Sequence, residues 1–308
     1  MLNFYDPLPE GWLAFELSVL RRSQFRSVAV PFAGEADLDL HLKRRGARVA
    51  SNDPRRWAWA RASARVENGA ERLTETDAAL LLEDAYVPRH RLRNPALRER
   101  FGESDAWWFD NVRAGVEKLD SDFKRSLALD LGMMVGDYTL SFDAATRELR
   151  QPLSRVFERL RDSQPKPVES RHPNAATNKE ARSFLAGEQA DLLFLRLPRP
   201  ARGGARRAPW AWREEWVRGG ADFWDEFEEA GAGRLGARTE TRRQYLRHLE
   251  DLLDAAGHIP NWAIAHADDR LVSTEELIES LRRLRRVGTI YTKDFSELTG
   301  ARATIITA

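Results

Sequence analysis

Two rhythms of apolar spacing divide this chain of 308 residues. Ser27-Val28-Ala29-Val30-Pro31-Phe32 is a short apolar run that ends near a glycine. Asp37-Leu38-Asp39-Leu40-His41-Leu42-Lys43-Arg44-Arg45 follows at helical spacing until Gly46 stops it. Ala47-Arg48-Val49-Ala50-Ser51 then reads as a second strand, so the spacing predicts a βαβ opening with a compact helix between parallel strands. The last third repeats this logic. Ala190-Asp191-Leu192-Leu193-Phe194-Leu195 is nearly continuous in apolar character, as in a central parallel strand covered on both faces, and it ends at Arg196-Leu197-Pro198-Arg199-Pro200. Asn261 to His266 predicts another strand, Ser273-Thr274-Glu275-Glu276 a capping box that opens a helix, and Arg286 to Tyr291 a strand after it.

Between these two regions the rhythm is helical from about Trp57 to Arg161, in Leu80-Leu81-Leu82 and again from Val112 through Met134, with interruptions at Pro88, Pro95 and Gly102. The block is larger than a simple crossover between strands. Ser163 to Asn178 contains Pro165, Pro167 and Pro173 and little that is apolar, which predicts an exposed connection. The predicted organisation is an α/β core from residues 1–56 and 180–308, with 57–179 as a helical insertion and connecting loop.

Composition narrows the function classes. With 42% hydrophobic and 31% charged residues, the chain is neither disordered nor collagen-like. No apolar run approaches the ~18–20 residues needed to cross a bilayer, so no membrane partner is expected. Met1 to Leu20 carries Asp6, Glu10 and Glu16 and lacks a basic start followed by an apolar block, which predicts no secretory signal and a cytoplasmic protein. Without cysteine there is no disulfide, thiol nucleophile or iron–sulfur ligation, and the six histidines show no ligand spacing, so no metal is expected. The net charge of +1 means that any nucleic-acid signal must be local.

One such signal lies between Arg196 and Arg213, where six arginines and no acid surround Gly203-Gly204, with Trp210 and Trp212 interleaved. Arg202, Arg206 and Arg207 are candidates to track phosphates, and Trp210 and Trp212 to stack on bases at ~1–3 kcal/mol per stack. The competing reading is a solvated loop whose tryptophans fold back onto the core. Trp216, Phe223, Trp224 and Phe227 recur at helical spacing among seven acids from Glu214 to Glu229, which predicts a core-facing stripe on an acidic helix. That face repels DNA and suits a protein partner. Asp53, nineteen residues beyond Gly34 and just after the second strand, stands near the offset at which nucleotide-binding α/β folds hold a ribose hydroxyl; it can equally cap a helix ahead of Pro54 and Arg55.

Val30-Pro31-Phe32-Ala33-Gly34, the helix ending Leu42-Lys43-Arg44-Arg45-Gly46, and Val49-Ala50-Ser51-Asn52-Asp53 together resemble the opening of the D12 class of adenine-N6 DNA methyltransferases, the DNA adenine methylase family. Trp107-Trp108-Phe109-Asp110-Asn111-Val112 is similar to the family's helical segment, and Ala190 to Leu195 to its catalytic strand. Asn261 to Asp269, followed by Ser273 to Leu277, is similar to its late strand and helix. The resemblance implies a Rossmann-like methyltransferase sheet with a helical insertion. It also implies S-adenosylmethionine as cofactor, DNA as partner, and Phe32, Gly34 and Asp53 as cofactor-binding positions.

Two departures qualify what the resemblance implies. The family's first loop reads Phe-x-Gly-x-Gly, whereas here it reads Phe32-Ala33-Gly34-Glu35-Ala36, with Ala36 at the second glycine. The family's catalytic strand ends in Asp-Pro-Pro-Tyr, whose carboxylate and a backbone carbonyl accept from the adenine amino group while the ring stacks on the flipped base. The aligned residues are Arg196-Leu197-Pro198-Arg199. Arg196 has only donors and stays protonated, so it cannot direct an exocyclic amine toward a methyl group, although Arg199 can stack on a base. A shifted pairing of Asp191 with Phe194 puts the acid at the wrong end of the strand for an open α/β sheet. Three readings stay open. The first is a degenerate relative, or pseudoenzyme, that acts by binding nucleic acid or a partner. The second is an active S-adenosylmethionine-dependent enzyme with an atypical site, in which Asp268 or Asp269 replaces the lost acceptor. The third is an interaction protein that uses the scaffold without cofactor.

Overall fold

The chain enters through α1 (Trp12–Leu20) and then builds the βαβ opening that its spacing predicts: β1 (Ser27–Val30), α2 (Asp37–Arg44) and β2 (Arg48–Asn52), with Val28 facing Val49 in parallel register. This computed structural model describes residues 11–143, 145–199, 204–267, 271–299 and 301–308. A helical layer follows: α3 (Arg56–Ala62), which runs on into a π turn over Ser63–Glu67, then α4 (Glu75–Leu82), α5 (Glu103–Val116), α6 (Asp122–Leu140) and α7 (Leu153–Asp162). The chain returns to the sheet with β3 (Ala175–Thr177), α8 (Ala181–Gly187) and β4 (Leu192–Arg196), and leaves it again for α9 (Ala211–Arg218) and α10 (Trp224–Gly231). It closes with α11 (Arg242–Ala255), β5 (Asn261–Ala267), α12 (Thr274–Leu284), β6 (Ile290–Phe295), α13 (Ser296–Thr299) and β7 (Ala301–Thr307).

Among the described residues seven strands form one sheet in the order β3-β2-β1-β4-β5-β7-β6; β1 to β5 are parallel, and β7 runs antiparallel between β5 and β6. The architecture is α/β and Rossmann-like. Both faces are covered, which explains the continuous apolar runs. Val28, Val30, Leu192 and Phe194 pack with α1 and α2, while Ala29, Leu193 and Leu195 point to the opposite face and pack with α8, α11 and α12. The capping box of α12 forms as predicted, with Glu276 N–H donating to Ser273 Oγ (3.3 Å) and Ser273 N–H to Glu276 Oε2 (3.0 Å).

Three elements differ from the sequence-based expectation. The connection 163–178 contains β3, whose Ala175 and Ala176 pair with Ala50 and Ser51 and therefore belong to the sheet, not to the insertion. The strand expected at Arg286 to Tyr291 lies several residues later, at Ile290–Phe295, because it is an edge strand with mostly exposed side chains and no buried alternation to mark it. β7 carries the alternation that closes the core there, with Ala303 and Ile305 on one face and Ile306 on the other.

The helical layer is not self-contained. Its core of Trp108, Phe109, Leu131 and Phe157 is completed by Trp212 and Trp216 of α9, which come from beyond β4. Gly132 and Gly136, one turn apart on α6, let the Trp216 and Trp212 rings sit where a Cβ would otherwise stand. Glu214, fully buried, reaches from α9 to cap α3: its two oxygens accept the Arg56 N–H (3.0 Å) and the Trp57 N–H (2.9 Å). Among the described residues no helix is long and apolar enough to cross a membrane.

Candidate functional site

In an open α/β sheet, ligands lie outside the carboxyl ends of the strands where the strand order reverses. Here that point falls between β1 and β4, and a cleft of about 1470 Å³ opens there. Phe32 and Gly34 after β1, Arg55 and Trp57 after β2, and Arg196, Pro198 and Arg199 at the end of β4 all line it, together with Trp210 and Arg213. The positions after β1 and at the end of β4 singled out in the sequence thus share one cavity.

The turn after β1 adopts left-handed backbone twice, at Gly34 (φ 55°) and at Ala36 (φ 57°). Ala36 is the one non-glycine residue with positive φ among the described residues. Its backbone keeps the conformation that favours glycine although it carries a methyl group, at a cost of about 1 kcal/mol. The side chain of Glu35 turns into the cleft, where Arg61 and Arg213 (2.6 Å) pair with it.

Asp53 is buried at the end of β2 and its acceptor capacity is filled. Oδ1 accepts from Arg55 N–H (3.0 Å) and Nε (2.8 Å), and Oδ2 accepts from Gly34 N–H (3.0 Å) and Arg55 Nη2 (2.7 Å). Burial alone lowers the Arg55 pKa, and the Asp53 carboxylate more than offsets this, so the guanidinium is held charged. That guanidinium lies between two indoles, 5.2 Å from the Trp57 ring and 5.3 Å from the Trp210 ring.

Arg196 forms a bidentate pair with Glu16 of α1, through Nε to Oε1 (2.9 Å) and Nη2 to Oε2 (2.6 Å). Glu16 is fully buried and also accepts from Trp12 Nε1 (2.5 Å), so neither of its oxygens faces the cleft as a spare acceptor. Burial lowers the Arg196 pKa and Glu16 outweighs it, raising the value. Asp39 lies in the same polar core, accepts from Ser51 Oγ, and is pushed up to about 6 by burial. Beyond Arg196, the Pro198 carbonyl accepts from the Tyr245 hydroxyl (2.9 Å), and Arg199 is exposed. Asp191 sits at the opposite end of β4, where Oδ2 accepts from the Arg26 and Ser27 N–H groups (2.8 and 2.9 Å).

The arginine-rich stretch splits into different environments. Arg206 and Arg207 are exposed, Trp210 is half-buried on the cleft wall, and Arg202 lies outside the described residues, as do Asp268 and Asp269. Trp212 is a correction. It is 2% exposed, and Phe101 and Phe109 meet its ring edge-to-face at 5.4 and 6.1 Å, so it is a core residue and cannot stack on a base. The acidic aromatic helix is a second correction, because Gly219-Gly220 separates α9 from α10. Trp216 and Trp224 are buried, with Nε1 donating to Phe109 O and Glu215 Oε1 (2.8 Å each), while Phe223 and Phe227 line the cleft.

Sequence reasoning missed the ion-pair network beneath the cleft. Arg213 bridges Glu35 and Asp137 (2.8 Å), while Arg61 and Arg65 both hold buried Asp130 (2.7 and 2.8 Å). Burial raises the Asp130 pKa, and the two guanidinium groups outweigh this and lower it. The i,i+4 spacing of Arg61 and Arg65 was visible in the sequence, but their shared partner on α6 was not. Among the described residues no group of three or more His, Asp or Glu side chains is arranged to hold a metal ion. No protein-family model matches the chain, and no curated protein is significantly similar to it.

Proposed function

We propose that this chain is a DNA adenine methylase-like protein that has lost adenine-N6 methylation and acts by binding nucleic acid. The observation that carries the reading is Arg196. At the end of β4, where the resemblance puts an acceptor for the adenine amino group, stands a cation locked to a buried carboxylate. A guanidinium offers no lone pair to that amine and repels a sulfonium. Glu16 supplies no substitute, since its oxygens are committed to Arg196 and Trp12.

Other features are in keeping with this reading. The reversed β7 between β5 and β6 suits the methyltransferase sheet that the resemblance implies, and the left-handed backbone at Gly34 and Ala36 suits the turn of its first loop. The residues present do not fit S-adenosylmethionine. Asp53 has no acceptor left for a ribose hydroxyl, and Glu35 is paired with two arginines where the cofactor's ammonium group needs an anion. The exposed Arg206 and Arg207 beside the cleft suit phosphate contacts.

The test is a paired assay on duplex oligonucleotides. The expected result is binding whose affinity falls with salt, with no tritiated methyl group transferred from S-adenosylmethionine. Methyl transfer to adenine overturns the loss of chemistry, and salt-insensitive or absent DNA binding overturns the proposed mode of action.

A further inference from the structure

We infer that the cleft is built for a nucleoside phosphate, occupying the space where the resemblance implies a sulfonium cofactor. The inference rests on the reading above and deepens it by naming the ligand class. Its basis is what the ion pairs of the cleft leave to a ligand: guanidinium groups laid on aromatic rings and an exposed lysine.

A cationic cofactor needs free anions along its path, and all but Glu226 of the acids named here are committed within the chain. Asp53 is saturated by Gly34 and Arg55, Glu35 is held by Arg61 and Arg213, and Asp37 pairs with Arg65 (3.2 Å). Asp137 is held by Arg213. Glu180 accepts the Arg182 and Ser183 N–H groups (2.9 Å each), and Glu228 accepts the Ala205 N–H (2.8 Å). Glu226 stands exposed at the rim.

Cations laid on aromatic rings form part of the remaining wall. Arg55, paired with Asp53, lies between Trp57 and Trp210; Arg218, whose Nε is paired with Glu214 (2.7 Å), covers Phe223 at 4.5 Å; and Lys179 is exposed at the edge. Trp210, Phe223 and Phe227 are all half-buried and line the cavity, with Phe227 meeting Trp210 edge-to-face at 6.4 Å. Such a wall offers a base a stacking partner and a phosphate two or three donors. The volume exceeds the ~300–1,000 Å³ of an ordinary ligand pocket, so it admits a mononucleotide or the end of a single strand. The two sources share the same chemistry, a base with an anionic phosphate.

The experiment is calorimetric titration of the full chain with ADP, with a 5′-phosphorylated tetranucleotide and with S-adenosylmethionine, repeated on variants. ADP or the tetranucleotide should bind at least about tenfold more tightly than S-adenosylmethionine, and the tighter of the two identifies the source. Lys179→Met and Arg218→Met should each weaken that binding about five- to tenfold, by loss of a charge-assisted contact. Arg55→Met should weaken it further and, by freeing Asp53, improve the relative affinity for S-adenosylmethionine. Lys179 is exposed, so its variant gives an answer even if Arg55→Met does not fold. Saturable S-adenosylmethionine binding as tight as ADP, or no binding of either phosphate ligand, overturns the inference. Duplex binding without binding of either phosphate ligand overturns the inference alone and leaves the function proposed above standing. Binding of a phosphate ligand without duplex binding does the reverse.

Discussion

The arginines locked in ion pairs around the cleft and those exposed beside it are the same residue type, drawn partly from one stretch of chain, yet they are placed for different work. Arg61, Arg65, Arg196 and Arg213 are each paired with carboxylates that are distant in sequence or set on another element. Arg206 is 57% exposed and reaches Glu99 only at 3.8 Å, and Arg207 is exposed beside it. Buried pairs of the first kind add little when intact but cost much when one partner is removed, because the other is left charged without water. Exposed pairs of the second kind are screened and leave their cations available to a ligand. Arginine count therefore says little about nucleic-acid binding until the partners of each guanidinium are known.

The largest expected effect comes from Arg196→Asp. It places a second carboxylate against buried Glu16 and near Asp39, and should cost about 5 kcal/mol, read as a fall in the denaturant midpoint. A wild-type midpoint would move Arg196 into the exposed class. Asp130→Ala removes the buried carboxylate shared by Arg61 and Arg65, leaving them only the more exposed Glu35 and Asp37, and should cost about 3 kcal/mol in the same measurement.

Asp39 refines the comparison through pH. Its carboxyl stands at about 6 when folded against 3.8 when free, so the folded chain holds the proton more tightly. The associated stability is fully present below about pH 4 and is lost as pH rises through 6, by roughly 3 kcal/mol. Asp39→Asn should remove that segment of the pH–stability curve, and an unchanged curve would contradict a buried, proton-sharing Asp39. The smallest effect on folding belongs to Arg206→Ala and Arg207→Ala. These should leave the unfolding midpoint in place while each lowers the salt slope of DNA binding by about one.

Much of the sheet was legible because its central strands are buried on both faces and leave continuous runs such as Leu192 to Leu195. β3 was not, since Ala175-Ala176-Thr177 is three residues long and has too few side chains to show a period. β6 was displaced because Thr292, Lys293 and Asp294 look like a loop when an edge strand faces outward. The positions of the cleft residues could be read from the chain, because strand ends announce themselves by the breaks after Phe32, Asn52 and Leu195. Their partners could not, since Glu16 meets Arg196 and Glu35 meets Arg213 across separations of 180 and 178 residues. The tryptophans were ambiguous for a related reason. Trp210 and Trp212 are two residues apart, and only the notch at Gly136 decides which of them goes inside.

The notch at Gly132 and Gly136 also bears on synthesis. The helices from α3 to α7 leave the ribosome with a hole in their packing that is filled only when the strand β4 and the arm behind it have emerged. At ~5–20 residues per second, that is an interval of several seconds in which an apolar surface waits for its two indoles. A fragment ending before Trp212 should consequently behave as a chaperone client and not as a free-standing module.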